Sequence, residues 1–287
     1  MATQSDALPA DSADVSIRVD CGPDRAPCIT TDRSTTLLLV GKTGTGRSTL
    51  GNALLGWPAF PTGRGLCSVT TQCHRAVSRE GDHAAVEGRL AAVDTPGLGA
   101  QEGRGSIEAE KEIERGIQMA AAGAATDGGL DAVLVTLDIS ARLTKGDFEA
   151  LNALRELLGH RCFRERVILV WTHADVLRAE GVQPGELLDG VQSEALRALL
   201  VEVQGRCAVV DAALPGAGDV ASVMAAVRAV VAARRGSGYT AADVPKRMRL
   251  KQARRLRQLA AREETACGET QGSWFGWLVQ LVVPQRT

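Results

Sequence analysis

The sequence predicts an α/β domain over residues 35–235, built on a doubly wound, mostly parallel six-stranded sheet. Strand-like and helix-like patterns alternate along this stretch, as in chains that place helices on both faces of a parallel sheet. The segment VILVW at residues 167–171 is apolar throughout, which is typical of a strand buried on both faces. With 287 residues, 45% of them hydrophobic, the chain is long enough to bury such a core.

Each element follows from a local pattern. The segment TTLLLV at residues 35–40 predicts the first strand, and a helix follows from about residue 47 to 55. Two short strands joined by the turn-forming EGDH predict one antiparallel hairpin at the sheet edge. Apolar residues at helical spacing over 145–158 predict a helix. The predicted ranges are strands 73–78, 89–93, 131–137, 167–171 and 207–210, and helices 47–55, 106–122, 145–158, 186–203 and 219–233.

The first strand leads into a glycine-rich turn, GKTGTGRS at residues 41–48. Glycines let several backbone N–H groups point inward, and the helix N-terminus adds partial positive charge, so this order of elements predicts a phosphate-binding loop. The pattern G-x-x-x-x-G-K-[ST] is matched except that Arg47 stands at the lysine position. The candidate phosphate-binding residues of this segment are Gly41, Thr43, Gly44, Thr45, Gly46, Arg47, Ser48 and Thr49.

A second candidate segment is DTPG at residues 94–97, directly after a predicted strand. Asp94 is expected to hold Mg²⁺ through water beside the Ser48 hydroxyl, and Gly97 to offer its N–H to a γ-phosphate. Thr70, in the segment SVTT, is a further candidate ligand for Mg²⁺ and the γ-phosphate. The alternatives are a helix cap or turn for DTPG and the start of a strand for SVTT.

The third segment is THAD at residues 172–175, directly after VILVW. A carboxylate at Asp175 can accept hydrogen bonds from the ring N–H and the amino group of guanine, which adenine cannot donate. Thr172 and His173 complete the candidate base-binding segment. The alternative interpretation makes Asp175 a helix N-cap.

Together these segments resemble the G domain of the GIMAP family, the GTPases of immunity-associated proteins of avirulence-induced-gene (AIG1) type, within the TRAFAC class of P-loop GTPases. Toc receptors and septins are its neighbours. The resemblance is carried by GKTGTGRSTLGNALLG at 41–56, SVTTQC at 68–73 and DTPGL at 94–98. THAD stands at the base-recognition position, where relatives accept His173 in place of lysine.

Two further segments match the family's pattern in part. Residues 134–150 resemble the family's box that reads Leu-Gly-Arg-Phe-Thr-x-x-(Asp/Glu), with Arg142 and Thr144 on the box's arginine and threonine. In GRCAVVDA the resemblance places Asp211 at a base contact, with Ala212 in place of the usual asparagine. The resemblance implies a membrane-associated GTPase that binds GTP or GDP with Mg²⁺ and forms a homodimer or oligomer through its nucleotide face.

Whether the protein hydrolyses GTP is left open by two positions. Leu98 stands where many GTPases place a water-orienting glutamine, so intrinsic turnover should be slow, and Arg142 is the candidate for an arginine acting across a dimer. Arg142 and Thr70 are therefore the catalytic candidates; the alternative for Arg142 is a solvated surface residue. Arg47 is longer and more planar than lysine, which leaves a nucleotide-binding scaffold without turnover as an alternative. A P-loop kinase or ATPase is a third hypothesis.

The two ends of the chain are expected to lie outside this domain. Residues 1–34 are predicted to be a disordered tail without a secretory signal. Residues 246–262 carry eight basic and no acidic side chains and predict an amphipathic helix, and the apolar, tryptophan-containing segment 273–283 is too short to span a bilayer. We expect a cytoplasmic protein whose tail, residues 236–287, contacts an anionic membrane surface. The alternatives are packing of the tail on the domain and nucleic-acid binding, although the net charge of −1 gives no global attraction for nucleic acid.

Overall fold

The computed structural model describes residues 34–63, 70–79, 89–98, 104–122, 129–182, 193–211, 216–235 and 237–245. The predicted N-terminal tail up to residue 33, the hairpin turn at 80–83 and both C-terminal segments, 246–262 and 273–283, lie outside these ranges. Ser34, the last residue of the predicted tail, is buried directly before the first strand. Among the described residues there is no helix of the length and apolarity needed to cross a bilayer.

Six strands and seven helices alternate along the described parts of the chain. The strands are β1 Thr35–Gly41, β2 His74–Val77, β3 Leu90–Asp94, β4 Ala132–Asp138, β5 Val167–Thr172 and β6 Cys207–Val209. The helices are α1 Arg47–Leu55, α2 Arg104–Ala122, α3 Lys145–Leu158, α4 His160–Arg166, α5 Ala174–Ala179, α6 Glu194–Glu202 and α7 Ala217–Ala233.

All strands belong to one sheet, in the order β2-β3-β1-β4-β5-β6. Every neighbouring pair is parallel except β2 and β3, which are antiparallel at the sheet edge. The predicted doubly wound sheet with one antiparallel edge pair is thereby confirmed. Because the parallel strands run the same way, their carboxyl ends meet at one edge of the sheet. The loops that follow β1, β3, β4, β5 and β6 therefore gather there.

The core lies on both faces of the sheet, because alternate residues of β1 point in opposite directions. Leu37 and Leu39 pack with α1 and α7 on one face. Leu38 and Val40 pack with α2, α3, α4 and α6 on the other. A continuously apolar strand is the consequence of this arrangement, since both of its faces are covered.

Two short helices, α4 and α5, were absent from the predicted order of elements. Neither is long enough to show an apolar stripe. Gly159, with φ 82°, is the single residue between the end of α3 and the start of α4. The helix predicted over residues 186–203 is described only from residue 193, where Ser193 caps α6. The chain also packs on the domain beyond residue 235, since the Tyr239 hydroxyl donates to the Leu158 carbonyl oxygen at 3.0 Å.

Candidate nucleotide-binding site

The loop between β1 and α1 is shaped by glycines that no other residue could replace without strain. Gly44 and Gly46 have φ of 87° and 72°, in the left-handed region. A Cβ on Gly41 would lie 2.1 Å from the Thr136 hydroxyl oxygen on β4, so the loop starts in close contact with the neighbouring strand. The Thr45 hydroxyl closes the loop by donating to the Lys42 carbonyl oxygen at 2.8 Å.

The N-terminus of α1 is available to an anion. Gly46 is its N-cap, and no side chain of the described residues caps the helix. Its first turn also has no acidic residue. Free backbone N–H groups and the positive end of the helix dipole together favour a phosphate at this point. Ser48 and Thr49 lie in this first turn and are half-buried.

Arg47, at the lysine position of the motif, is buried under the loop. Its Nε donates to Asp94 Oδ1 at 2.9 Å, and its Nη1 donates to the Gly41 carbonyl oxygen at 2.6 Å. The side chains of Arg47 and Asp94 are 6% and 0% exposed. Burial lowers the pKa of Arg47, while the carboxylate of Asp94 raises it in opposition. The arginine therefore forms a buried ion pair with the aspartate of the second motif.

The three candidate Mg²⁺ ligands lie together around the other oxygen of Asp94. Ser48 Oγ donates to Asp94 Oδ2 at 2.7 Å, and Thr70 Oγ1 donates to the same oxygen at 3.2 Å. The two hydroxyl oxygens are 3.4 Å apart. Two hydroxyls and one carboxylate form the hard oxygen donor set that Mg²⁺ prefers, so these residues fit the ion. Within the described ranges, no group of three or more His, Cys, Asp and Glu side chains could hold a metal.

Gly97 packs directly against the phosphate-binding loop. A Cβ on Gly97 would lie 2.2 Å from Thr43 Oγ1 and 2.7 Å from the Thr43 nitrogen. The next residue, Leu98, donates its N–H to the Gly41 carbonyl oxygen at 2.9 Å and buries its side chain in the core. Thr43 Oγ1 is buried and has no hydrogen-bond partner within the described part of the chain. The two motifs are thus in contact through backbone, which only a glycine at position 97 allows.

The candidate base-binding segment, residues 172–175, is bonded to the same loop. The Thr172 hydroxyl lies within hydrogen-bond distance of the Thr45 carbonyl oxygen, at 3.0 Å, and of the Leu137 carbonyl oxygen, at 3.1 Å. His173 is the N-cap of α5 and has φ 64°, an uncommon value for a residue with a side chain. Asp175 lies one residue inside the helix, in its first turn, so the alternative interpretation of Asp175 as the N-cap is wrong.

Asp211, the last candidate base contact, follows β6 at the same sheet edge. Its Oδ1 accepts a hydrogen bond from Arg178 Nη1 on α5. His173 Nδ1 lies 3.5 Å from Asp138 Oδ1, at the end of β4. The side chains of His173 and Asp211, two of the candidate base-binding residues, therefore contact partners that the sequence patterns did not indicate.

A cavity of about 420 Å³ opens beside the phosphate-binding loop, between the loop, the end of β4 and α3. Arg142 lines this cavity together with Thr43 and Gly44. Lys42, inside the loop, pairs with Asp147 on α3 at 2.8 Å and lies 3.4 Å from the Thr144 hydroxyl. The contacts of Lys42 could not be predicted from the sequence, because its partner Asp147 is more than 100 residues away and no local pattern marks it.

We expect Asp147→Ala to lower the free energy of unfolding by about 1–2 kcal/mol, since Asp147 holds both the Thr144 N–H, at 2.7 Å, and Lys42. Burial raises the pKa of Asp147, but hydrogen bonds from Lys42 and Thr144 outweigh it, so the pKa is lowered. This contribution is fully present above the unfolded-state pKa of about 4 and is lost as the pH falls from there through the lowered folded-state pKa.

Urea unfolding at pH 7 and at about pH 2, below the lowered pKa of Asp147, measures this effect. The matched control is Glu149→Ala, which removes the exposed i,i+4 partner of Lys145 on the same helix and should cost less than about 0.5 kcal/mol. Equal losses for the two variants would show that the contacts of Asp147 contribute nothing beyond an exposed pair.

The sheet order, the glycine-rich loop and the segments at one sheet edge define the G-domain fold of P-loop GTPases. Solved structures agree on this fold. Toc33 from Arabidopsis thaliana in complex with GDP and Mg²⁺ is similar over 71% of this chain and 86% of its own, with a TM-score of 0.53 and 18% identity. A structure concerned with the importance of dimerization for the GTPase activity of atToc33 and psToc159 has a TM-score of 0.51 and 18% identity, over 69% and 83% of the chains.

Within that class, the chain belongs to the AIG1 family, whose model matches residues 35–259. Immune-associated nucleotide-binding protein 8 of Arabidopsis thaliana is 32% identical over 170 residues, 58% of this chain and 43% of the relative. Immune-associated nucleotide-binding protein 7 of the same plant is 34% identical over 146 residues, 49% of this chain and 42% of the relative. The chain thus spans less than half the length of these relatives. The predicted family resemblance is confirmed.

Proposed function

We propose that this protein binds GTP and GDP together with Mg²⁺ and changes its assembly with the nucleotide that it holds. The observation that carries the proposal is the convergence of three motifs at one sheet edge. The loop around Gly44 and Gly46, the acceptor Asp94 and the segment ending in Asp175 are linked by direct hydrogen bonds. The solved structure of Toc33 with GDP and Mg²⁺, on the same fold, supports this assignment.

Guanine is favoured over adenine by the chemistry of Asp175. A carboxylate can accept from both the ring N–H and the amino group of guanine, whereas adenine presents an acceptor at its ring nitrogen. Thr172, at the start of the same segment, is bonded to the Thr45 carbonyl oxygen. A base held by Asp175 and a phosphate held by the loop would then share one rigid frame.

Competition against a fluorescent GDP analogue tests the proposal, with Mg²⁺ present and the full-length protein. We expect GDP and GTP to displace the analogue and ATP to fail at concentrations about 100-fold higher. Displacement by ATP at the same concentration as GTP would instead favour the kinase or ATPase hypothesis. Absence of binding by all three nucleotides would contradict a nucleotide site.

Slow hydrolysis is the second part of the proposal. Leu98 is packed in the core and carries no group that could orient water, so this side chain cannot act as a glutamine would at the same position. The alternative, a nucleotide-binding scaffold without turnover, is favoured by the pairing of Arg47 with Asp94. Phosphate release at high protein concentration separates the two: measurable turnover supports the GTPase, and none, with tight nucleotide binding, supports the scaffold.

Dimerisation through the nucleotide face is the third part. Arg142 lies on the cavity beside the phosphate-binding loop, on the face where a partner would meet the nucleotide. Dimerization is important for the GTPase activity of atToc33 and psToc159, and the solved structure described under that finding has the same fold as this chain. This supports a dimer of the present protein. Turnover that rises more than linearly with protein concentration, and becomes linear in Arg142→Ala, is the expected result. Linear turnover in both proteins would assign Arg142 to the solvated surface.

Gly97→Ala is expected to weaken GTP binding while leaving GDP binding nearly unchanged. The added methyl group would meet Thr43 Oγ1 at 2.2 Å, so the segment after β3 must move away from the loop and from the γ-phosphate. GDP has no γ-phosphate and loses nothing at this point. We expect GTP affinity to fall about tenfold or more, equivalent to about 1.4 kcal/mol.

The ratio of GTP to GDP affinity, measured by calorimetry, is the readout for this variant. Gly218→Ala is the matched control, because a Cβ at Gly218 on α7 meets no atom within 4 Å. A parallel loss of GDP and GTP affinity would show that Gly97 supports the loop as a whole.

Membrane contact through residues 246–262 and 273–283 completes the proposal and rests on sequence alone. Flotation of full-length protein with anionic liposomes, compared with a version that ends at residue 266, tests it. Loss of flotation on truncation is the expected result. Equal flotation of both proteins would contradict it.

A further inference from the structure

The position of Arg47 has a consequence for the metal ion, and it rests on the proposed nucleotide function. Each oxygen of Asp94 is in use in the described structure. Oδ2 accepts from Ser48 and Thr70, and Oδ1 accepts from Arg47 Nε. The carboxylate that would hold the water shell of Mg²⁺ is therefore already neutralised by a guanidinium of the chain itself.

The atom that makes this contact cannot be supplied by lysine. Counting along the side chain, Nε of arginine occupies the place of Cε in lysine, which is a methylene group without a hydrogen-bond donor. Lysine carries its charge one atom further out, as a compact ammonium. An Arg47→Lys side chain could still reach the Gly41 carbonyl oxygen or a phosphate, but its Cε would face Asp94 Oδ1. The contact from Nε to Asp94 Oδ1 is thus specific to arginine at this position.

The pair is also costly to break. Both side chains are almost fully buried, and Arg47 Nη1 makes a second contact, with the Gly41 carbonyl oxygen at 2.6 Å. A buried ion loses its hydration, so separating the pair leaves each charge without compensation unless a new partner arrives. If a hydrated Mg²⁺ draws Asp94 away from Arg47, its interaction with Asp94 must first offset the free energy lost on separating the pair. Only the remainder can increase nucleotide affinity.

We propose that the guanidinium of Arg47 provides part of the positive charge beside Asp94 that Mg²⁺ would otherwise provide. Nucleotide binding would then depend only weakly on Mg²⁺. Arg47 acts here as a positioning residue, through Asp94. Nucleotide and Mg²⁺ binding are linked by a coupling factor, the ratio of GDP dissociation constants without and with Mg²⁺. Arg47 lowers this factor, because Asp94 is satisfied in both conditions.

The test is calorimetric titration of full-length protein with GDP in excess Mg²⁺ and in EDTA. We expect the two dissociation constants of the wild-type protein to differ by less than about tenfold, and the ratio for Arg47→Lys to be at least about tenfold larger. Equal ratios for the two proteins would overturn the inference while leaving the nucleotide function intact. Absence of GDP binding by both proteins in both conditions would overturn the proposed function, and this inference with it.

Two further variants guard against a folding effect. Arg166→Lys changes another buried arginine. Arg166 donates to the carbonyl oxygen of Leu130, which lies just before the start of β4 and so at the sheet edge opposite to the candidate site. This variant should keep the wild-type ratio. Ser48→Ala removes one of the three candidate Mg²⁺ ligands, and the loss of one hydroxyl should not unfold the domain. In the wild-type background it should lower GDP affinity in Mg²⁺ less than about tenfold, and a loss of about tenfold or more would overturn the inference even if Arg47→Lys did not fold.

Discussion

Replacing Asp94 with asparagine is expected to lower the free energy of unfolding by about 3–5 kcal/mol, since it leaves the Arg47 charge buried without a neutralising negative charge. The asparagine oxygen can still accept from Ser48 and Thr70, so those contacts need not be lost. The missing element is the negative charge, at a position where neither side chain is more than 6% exposed. Urea unfolding of the nucleotide-free protein measures the loss.

A double-mutant cycle isolates the pair from the rest of the cluster. Arg47→Met removes the positive charge of the pair, and the double variant with Asp94→Asn has no charge left at either of these two positions. We expect the double variant to be more stable than the sum of the single losses predicts, by about 2 kcal/mol or more. Additive losses, or a loss below about 1 kcal/mol for Asp94→Asn alone, would contradict a stabilising role for the pair.

Asp175→Asn is expected to reduce GDP affinity by about 10²–10⁴-fold, which corresponds to two hydrogen bonds to a charged group at about 1.5–3 kcal/mol each. The same change should favour xanthosine diphosphate, because an amide can accept from the xanthine N1–H and donate to its O2. Reversal of the preference between the two diphosphates, measured by competition, is the result that identifies Asp175 as the base-reading side chain.

Asp219→Asn is the matched control for this variant. Asp219 is also an acidic residue in the first turn of a helix, α7, where its carboxylate accepts from the Gly216 N–H at 2.9 Å. It should leave both nucleotide affinities unchanged. A similar loss of GDP affinity for both variants would mean that Asp175 acts through the helix and not on the base.

The fold could be predicted because its signals are local. VILVW is typical of a strand covered on both faces, and the helix predicted over 145–158 has the bounds of α3 in the structure. The strand, loop and helix around Gly41 and Arg47 were equally well defined. The elements that escaped prediction, α4 and α5, have seven and six residues, too few for a periodic pattern to develop.

The sequence predicted which residues form the candidate site, but not which side chains contact one another. Ser48, Thr70 and Asp94 were grouped by their motifs, and the structure brings all three together. Their roles toward Mg²⁺ and nucleotide stay predictions. The partners of Arg47, Lys42 and Asp211 could not be inferred, because an ion pair between distant residues depends on the exact approach of two loops.

The sequence by itself determined the class of this protein, since glycine spacing, apolar alternation and the order of the motifs are properties of short segments. The tertiary structure alone decided what Arg47 does. Asp94 lies 47 residues away along the chain, and only the parallel pairing of β1 with β3 brings its carboxylate under the loop. Because the guanidinium of Arg47 is buried and has lost its contacts with water, it needs a hydrogen-bond acceptor within reach, and Asp94 is that acceptor.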